Sequence, residues 1–203
     1  ECALMMDANN LLSHQPPTSW ACYSMSGATA AGRSNICSTR AVRCIDMYMS
    51  DFGNATTIGH RRWFLSNQLG PIGVGGTTGG SCHHVIGGSG SGTKPWLAFP
   101  PPGPVPLEAI NIPGNPSVDS TGWTVQSYSS PYNLAGASVT VTEGGMNKPV
   151  TVTQLGDNYG SRYAIRFNPM GWTTQAGRTY QVTVTAPGLA TPISYAVEVV
   201  SCP

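Results

Sequence analysis

The sequence predicts an α+β protein, a small helix-bearing part followed by an all-β sandwich of about seven strands. Three observations carry that expectation. Apolar residues recur at helical spacing only before about residue 65. A glycine-rich stretch and then a proline-rich one interrupt the middle of the chain. Beyond about residue 108, short runs alternate β-branched with polar residues and are parted by Gly, Pro and Asn.

Taken in order, Cys2, Ala3, Met5, Met6, Leu11 and Leu12 predict a first helix that ends near Ser13-His14, before Pro16-Pro17 forbids continuation. Arg40 to Phe52 reads as a second helix, because Ala41, Cys44, Ile45, Tyr48 and Phe52 fall on one face and Gly53-Asn54 stops it. Gly59 to Leu65 reads as a third helical turn. Ile72 and Val74 alternate with glycine and predict an inner strand with close backbone approach. The glycine-rich 70–92 stretch lacks the Gly-Lys-Ser/Thr of a phosphate loop. Phe99 to Pro106 has polyproline character, suited to a stiff spacer or to a partner's groove. Strands are then expected at Trp123–Tyr128, Ala137–Glu143, Val150–Leu155, Arg162–Phe167, Thr179–Thr185 and Ile193–Val200. In Tyr180-Gln-Val-Thr-Val-Thr185 the apolar residues point one way and the polar ones the other. The turn Gly177-Arg-Thr-Tyr180 resembles the entry to a late strand of immunoglobulin-like domains. The expected boundaries are a domain over 1–99, a Pro-rich linker over 100–107 and an immunoglobulin-like β-sandwich over 108–203.

Composition narrows the function classes. Asp, Glu, Lys and Arg make up 9% of the chain, against about 25% in an average soluble domain. The net charge of +1 supplies no field to recruit nucleic acid or anionic lipid, so nucleic acid is excluded as a partner. Six cysteines and no CxxC fit an oxidised framework of at least two disulfides rather than a zinc ribbon. Cys37 with Cys44, or Cys22 with Cys37, would staple a loop to a helix, but sequence leaves all of the roughly 15 pairings open. No apolar run reaches 18 residues, so no transmembrane segment is expected. The start, already helical in character, reads as a mature or cut N-terminus.

Candidate chemistry centres on histidine. All four, His14, His60, His83 and His84, lie in the first half. His14 follows the first helix, His60 lies in the third helical turn, and Asp46 or Asp51 of the second helix could face the same cavity. Neighbours on a strand face opposite ways, so at most one of His83 and His84 could join them. Arg61 and Arg62 are expected to salt-bridge or cap, Trp63 and Phe64 to be core, and Trp96 and Phe99 to pack at the domain junction, with carbohydrate stacking as the sharper alternative. The Gly-x-Ser-x-Gly-like stretch after Gly88 has Gly90 where the serine elbow needs its nucleophile, and His-Glu-x-x-His is absent. A paired-carboxylate glycosidase is left open by the few acids present.

Five strings in order bring in a family. Leu12-Ser-His14, Ser34-Asn-Ile36, Tyr48-Met-Ser-Asp51, Gly59-His-Arg-Arg-Trp-Phe-Leu65 and Ile72-Gly-Val-Gly75 together resemble the CAP superfamily of cysteine-rich secretory, antigen-five and pathogenesis-related proteins, in its bacterial secreted form, over residues 1–99. The resemblance implies an α-β-α sandwich, here truncated at the N-terminus, with a central cleft of two His and two acids that can bind zinc. It puts His14 and His60 as the imidazoles, and as the metal ligands, with Asp51 as the second acid. Ser34 stands where the family has its first acid, which leaves at most a His/His/Asp set. The resulting expectation is a secreted, extracellular binding protein whose cleft, around His14, Asp51 and His60, holds a lipid-like small molecule or a zinc ion. The alternatives are an extracellular hydrolase using that cleft and a surface-assembly subunit. Small molecules or cell-surface components are the expected partners, with self-association as a further option.

Overall fold

The structure, a computed structural model, describes residues 1–88 and 90–202. The first half begins with α1 (Cys2–Asn9), whose buried face is Cys2, Ala3, Met5 and Met6. It stops where Asn10 turns left-handed, a conformation that a short amide side chain tolerates. Helix α2 (Met25–Ala31) is capped by Ser24, whose side chain accepts from the Gly27 N–H at 3.0 Å. Then come β1 (Ser34–Cys37), α3 (Ala41–Ser50), α4 (Gly59–Phe64), β2 (Val74–Gly76) and β3 (Ser81–His84). These three strands form an antiparallel sheet in the order β1-β3-β2. One disulfide, Cys2–Cys82, ties α1 to the central strand, and another, Cys37–Cys44, ties β1 to α3. Cys22 and Cys202 are free and exposed.

The second part continues with β4 (Trp96–Phe99), β5 (Gly103–Pro106), α5 (Leu107–Ile110), α6 (Val118–Thr121), β6 (Trp123–Ser127), β7 (Ser138–Glu143), β8 (Met146–Lys148), β9 (Val150–Gln154), β10 (Tyr163–Pro169), β11 (Arg178–Thr185) and β12 (Ile193–Val200). They build two sheets, β4-β6-β10-β9 and β5-β12-β11-β7-β8. Alternation sets which face is inside. Ile193, Tyr195, Val197 and Val199 of β12 are buried while Ser194, Glu198 and Val200 are exposed. The main core joins inner residues of both sheets, among them Trp123, Val125, Ile165 and Phe167 from one and Val141, Tyr180, Val182 and Val197 from the other.

The α-β-α sandwich implied by the CAP resemblance is not what this chain forms. The described residues are mostly β, with twelve strands in three sheets and about a fifth of them in helix. No helix among the described residues exceeds ten residues. Strand β2, read as an inner strand, is an edge with all three residues exposed, so the small sheet is not a layer sealed between helices. The five strings are short and local, and they do not specify layers. Residues 96–106, assigned to a domain end and a spacer, supply an edge strand to each sheet of the sandwich. The prolines there serve as the crossing between sheets. Pro is tolerated on such edges because no inner ladder needs its missing N–H.

Candidate active site around His60

The site starts from how α3 ends. Asp51 takes the left-handed conformation at the C-cap (φ 52°), which turns its side chain back toward the following segment. It is fully buried, and three donors reach it. His60 Nδ1 lies 2.8 Å and Asn54 Nδ2 2.7 Å from Oδ1, and the Arg61 backbone N–H donates to Oδ2 at 3.2 Å. A carboxylate only accepts, so the His60 proton resides on Nδ1 and the free nitrogen is Nε2. The 2.9 Å approach of Asn54 Nδ2 to His60 Nδ1 is then two donors gathered on one acceptor. His60 is held from above as well, its ring stacked on Tyr48 with centroids 5.0 Å apart.

His14 is oriented in the same sense by a different partner. Its Nδ1 lies 2.9 Å from the Ala31 carbonyl, which again places the proton on Nδ1 and leaves Nε2 free. Both rings line one cavity of about 530 Å³. Its other walls include Ser34, Asn35, Asn54, Thr56, Thr57, Trp63, Asn158 and Tyr159. None of its lining residues is Asp, Glu, Lys or Arg. The Ser34 hydroxyl is buried without a hydrogen-bond partner, which leaves it free to bond whatever enters.

The structure thus brings His14 and His60 together, while Asp51 sits behind His60 and does not line the cavity. Its contacts are with His60, Asn54 and the Arg61 backbone. Neither residue of the 83–84 pair lines this cavity. His83 is buried between Tyr48 (5.4 Å) and Phe64 (5.7 Å), and both its ring nitrogens lack partners. Burial lowers its pKa and keeps it neutral. His84, exposed, lines a separate cavity beside α2 together with Arg33.

Arg61 and Arg62 are fully buried and form no ion pair among the described residues. Each instead spreads its guanidinium over carbonyls and hydroxyls of both parts of the chain. Arg61 donates to Gly122 O (2.7 Å), Thr121 Oγ1 (3.0 Å), Met49 O (2.6 Å) and Ser50 O (3.0 Å). Arg62 donates to Ser161 Oγ (2.9 Å), Ser161 O (3.1 Å), Gly156 O (2.5 Å) and Thr57 O (3.0 Å). The second set pins the 156–161 loop, which brings Asn158 and Tyr159 to the cavity. Those two residues were missed because the boundary drawn at 107 separated them from the histidines. The available signal was the turn cluster Gly156-Asp-Asn-Tyr-Gly160. Trp63, expected as core, is a cavity wall.

No family model and no curated protein matches this chain.

A zinc ion asks for three or four protein ligands. Among the described residues no group of three His, Cys, Asp or Glu side chains stands close enough to hold a metal ion. Both Asp51 oxygens are occupied by donors, and a serine hydroxyl at position 34 is a poor zinc ligand. The donor set therefore does not fit zinc, and no chemistry is routed through one.

Proposed function

We propose that this is an extracellular binding protein that takes a small, neutral, hydroxyl-rich ligand, of the size of a mono- or disaccharide, between α4 and the 156–161 loop. The observation that carries the reading is the convergence of two imidazoles, each presenting Nε2 as an acceptor, on a cavity otherwise lined by hydroxyls, amides and two aromatic rings. Such walls match the donors and flat faces of a sugar. The absence of charged lining residues points to a neutral ligand. Trp63, Ile86 and Tyr159 supply the larger carbon faces of the lining, and the hydroxyls and amides among them favour a sugar over the lipid-like ligand that the sequence resemblance implied. Two disulfides and the sparse charge favour an extracellular setting.

A second reading, hydrolysis in the same cavity, is favoured by the His60–Asp51 pair. A histidine whose Nδ1–H is fixed by a buried carboxylate has Nε2 ready to take a proton from water or from a ligand hydroxyl. Calorimetric titration of a mono- and disaccharide panel, repeated with His14→Ala and His60→Ala, tests both. Binding should weaken at least about tenfold in each variant, the loss of a buried hydrogen bond or more. No saccharide binding by the parent protein, or binding indifferent to both substitutions, removes the proposal. Turnover of glycosides or esters that disappears with His60→Ala would make the second reading the right one.

A further inference from the structure

The larger sheet has an edge that it leaves unfinished. Strand β5 runs parallel to β12 but pairs only with Val197–Val200. Strand β11 pairs with β12 from Ile193 onward. Ile193–Ala196 therefore have a strand neighbour on one side alone, among the described residues. Outside the β11 and β5 ladders, no hydrogen bond engages the backbone of Ser194, Tyr195 or Ala196 among those residues. The reason lies in the sequence that precedes β5. The chain crosses from β4 through Pro100, Pro101 and Pro102, which have no N–H to donate to β12.

Beside that edge lies a cavity of about 510 Å³, distinct in position from the one around His60. Trp96 and Tyr195 form its aromatic wall, with ring centroids 5.4 Å apart, and Pro101 and Pro102 add carbon surface. Tyr195 is only 7% exposed and its hydroxyl has no hydrogen-bond partner. Lys94 is the sole charged lining residue and makes no ion pair among the described residues.

We propose that this edge is a docking site for an extended peptide segment of a partner protein, carrying an apolar side chain with an acidic residue close by. The peptide backbone pairs with Ser194–Ala196 where β5 does not reach, continuing the sheet. Its alternate side chains point one way, so an apolar one enters the Trp96–Tyr195 cavity. The acidic residue meets Lys94. A strand edge offers donors and acceptors at a spacing that another backbone matches and a sugar or lipid does not. The Lys94 charge sets the sign of the partner.

The test uses the whole chain and a labelled, end-blocked peptide, Thr-Val-Thr-Phe-Thr-Glu-Thr, with Leu- and Pro-centred versions, followed by fluorescence anisotropy. Saturable binding below about 1 mM is expected for at least one version. Methylating alternate backbone nitrogens should cost at least about tenfold, since it removes the pairing N–H groups. Lys94→Glu should cause a similar loss, recovered when the peptide's Glu is replaced by Lys. Amide shifts on binding should fall at 94–97 and 193–197. Failure of all three versions to bind by about 1 mM overturns the proposal. So does binding that tolerates backbone methylation, or shifts centred on His60.

Discussion

Substituting Arg61 by Met keeps most of the stem's volume and removes the guanidinium, so it isolates what the four hydrogen bonds contribute. Three of the acceptors are backbone carbonyls, of Met49, Ser50 and Gly122, that have no way to leave the interior. The fourth, Thr121 Oγ1, has a second contact to the Ser117 carbonyl at 3.3 Å and is the least dependent on Arg61. The Phe99 ring lies 4.7 Å beneath the guanidinium and adds a cation–π contact. Burial works against this arrangement. It lowers the Arg61 pKa to about 10, only partly opposed by the Asp51 charge, yet the group stays protonated at neutral pH. Removing the cation recovers that desolvation cost but strands the carbonyls, each at about 1–3 kcal/mol. The net loss expected is about 3–5 kcal/mol, the range for breaking a buried charged interaction from one side. For a chain of this length that is roughly 10 °C in Tm. Urea unfolding followed by tryptophan fluorescence reads it directly. Arg61→Lys should fall between, because a compact ammonium cannot span four acceptors. A loss below about 1 kcal/mol for Arg61→Met would refute the view that this side chain clamps the helical part to the sandwich.

Two further outcomes follow from the same coordinates. The Cys2–Cys82 bridge closes a loop of 80 residues and Cys37–Cys44 one of 7; replacing the first pair by alanine should cost about 4 kcal/mol and the second about 2, so equal shifts in urea midpoint would contradict the chain-entropy argument. His83 is held neutral, with its pKa below the ordinary 6.5. Its contribution to stability is therefore whole above about pH 6.5 and is lost as pH falls through the lowered native value, because the unfolded chain takes up a proton first. His83→Phe should become the more stable of the two proteins, relative to its standing at pH 7.5, as pH drops toward about 5. A difference in urea midpoint that stays constant with pH would show that His83 titrates alike in both states.

How much of this was legible in the sequence depended on the range of the interaction. Period-two alternation is set by neighbours on one strand, and all six expected strands after residue 108 are present within a residue or two. Helices α1, α3 and α4 showed through local periodicity, but α1 was carried on to Ser13-His14 and α3 to Phe52, whereas left-handed Asn10 and Asp51 end them earlier. Helix α2 did not, because Met-Ser-Gly-Ala-Thr-Ala-Ala has no apolar stripe, and its start depends on Ser24 as a cap. Strand β5 was hidden by its prolines, which sheet edges tolerate and central strands do not, and β4 by the prolines that flank it, Pro95 and Pro100. In the site, the two histidines were singled out by the short strings that resemble a family, whereas Asn158 and Tyr159 come from a loop almost a hundred residues beyond His60. For the arginine pair the expectation was salt-bridging or capping; neither forms an ion pair among the described residues, while Arg61 does bond the last carbonyls of α3, Met49 and Ser50. With nine acids in the chain, backbone carbonyls are the more abundant acceptors, and six of the eight hydrogen bonds named above are to them, three in each part of the chain.

The cavity and the seam between the two parts are consequences of one short helix. Successive residues on a helix are turned by about 100°, so three neighbours in α4 face three directions. His60 looks into the cavity, Arg61 into the α6–β6 junction, and Arg62 into the 156–161 loop. Gly59 completes the arrangement by omission, since a Cβ there would lie 2.7 Å from Tyr159 Cδ1. Gly160, at φ 69°, lets the loop turn where a Cβ would meet the Arg62 carbonyl at 2.7 Å. The wall that carries Tyr159 is thus held by the residue two places from the histidine it faces. Neither part of the chain contains the cavity alone. Loosening Arg62 must then move Asn158 and Tyr159 away from His60 while leaving the His60–Asp51 contact, which lies wholly within the first half, in place.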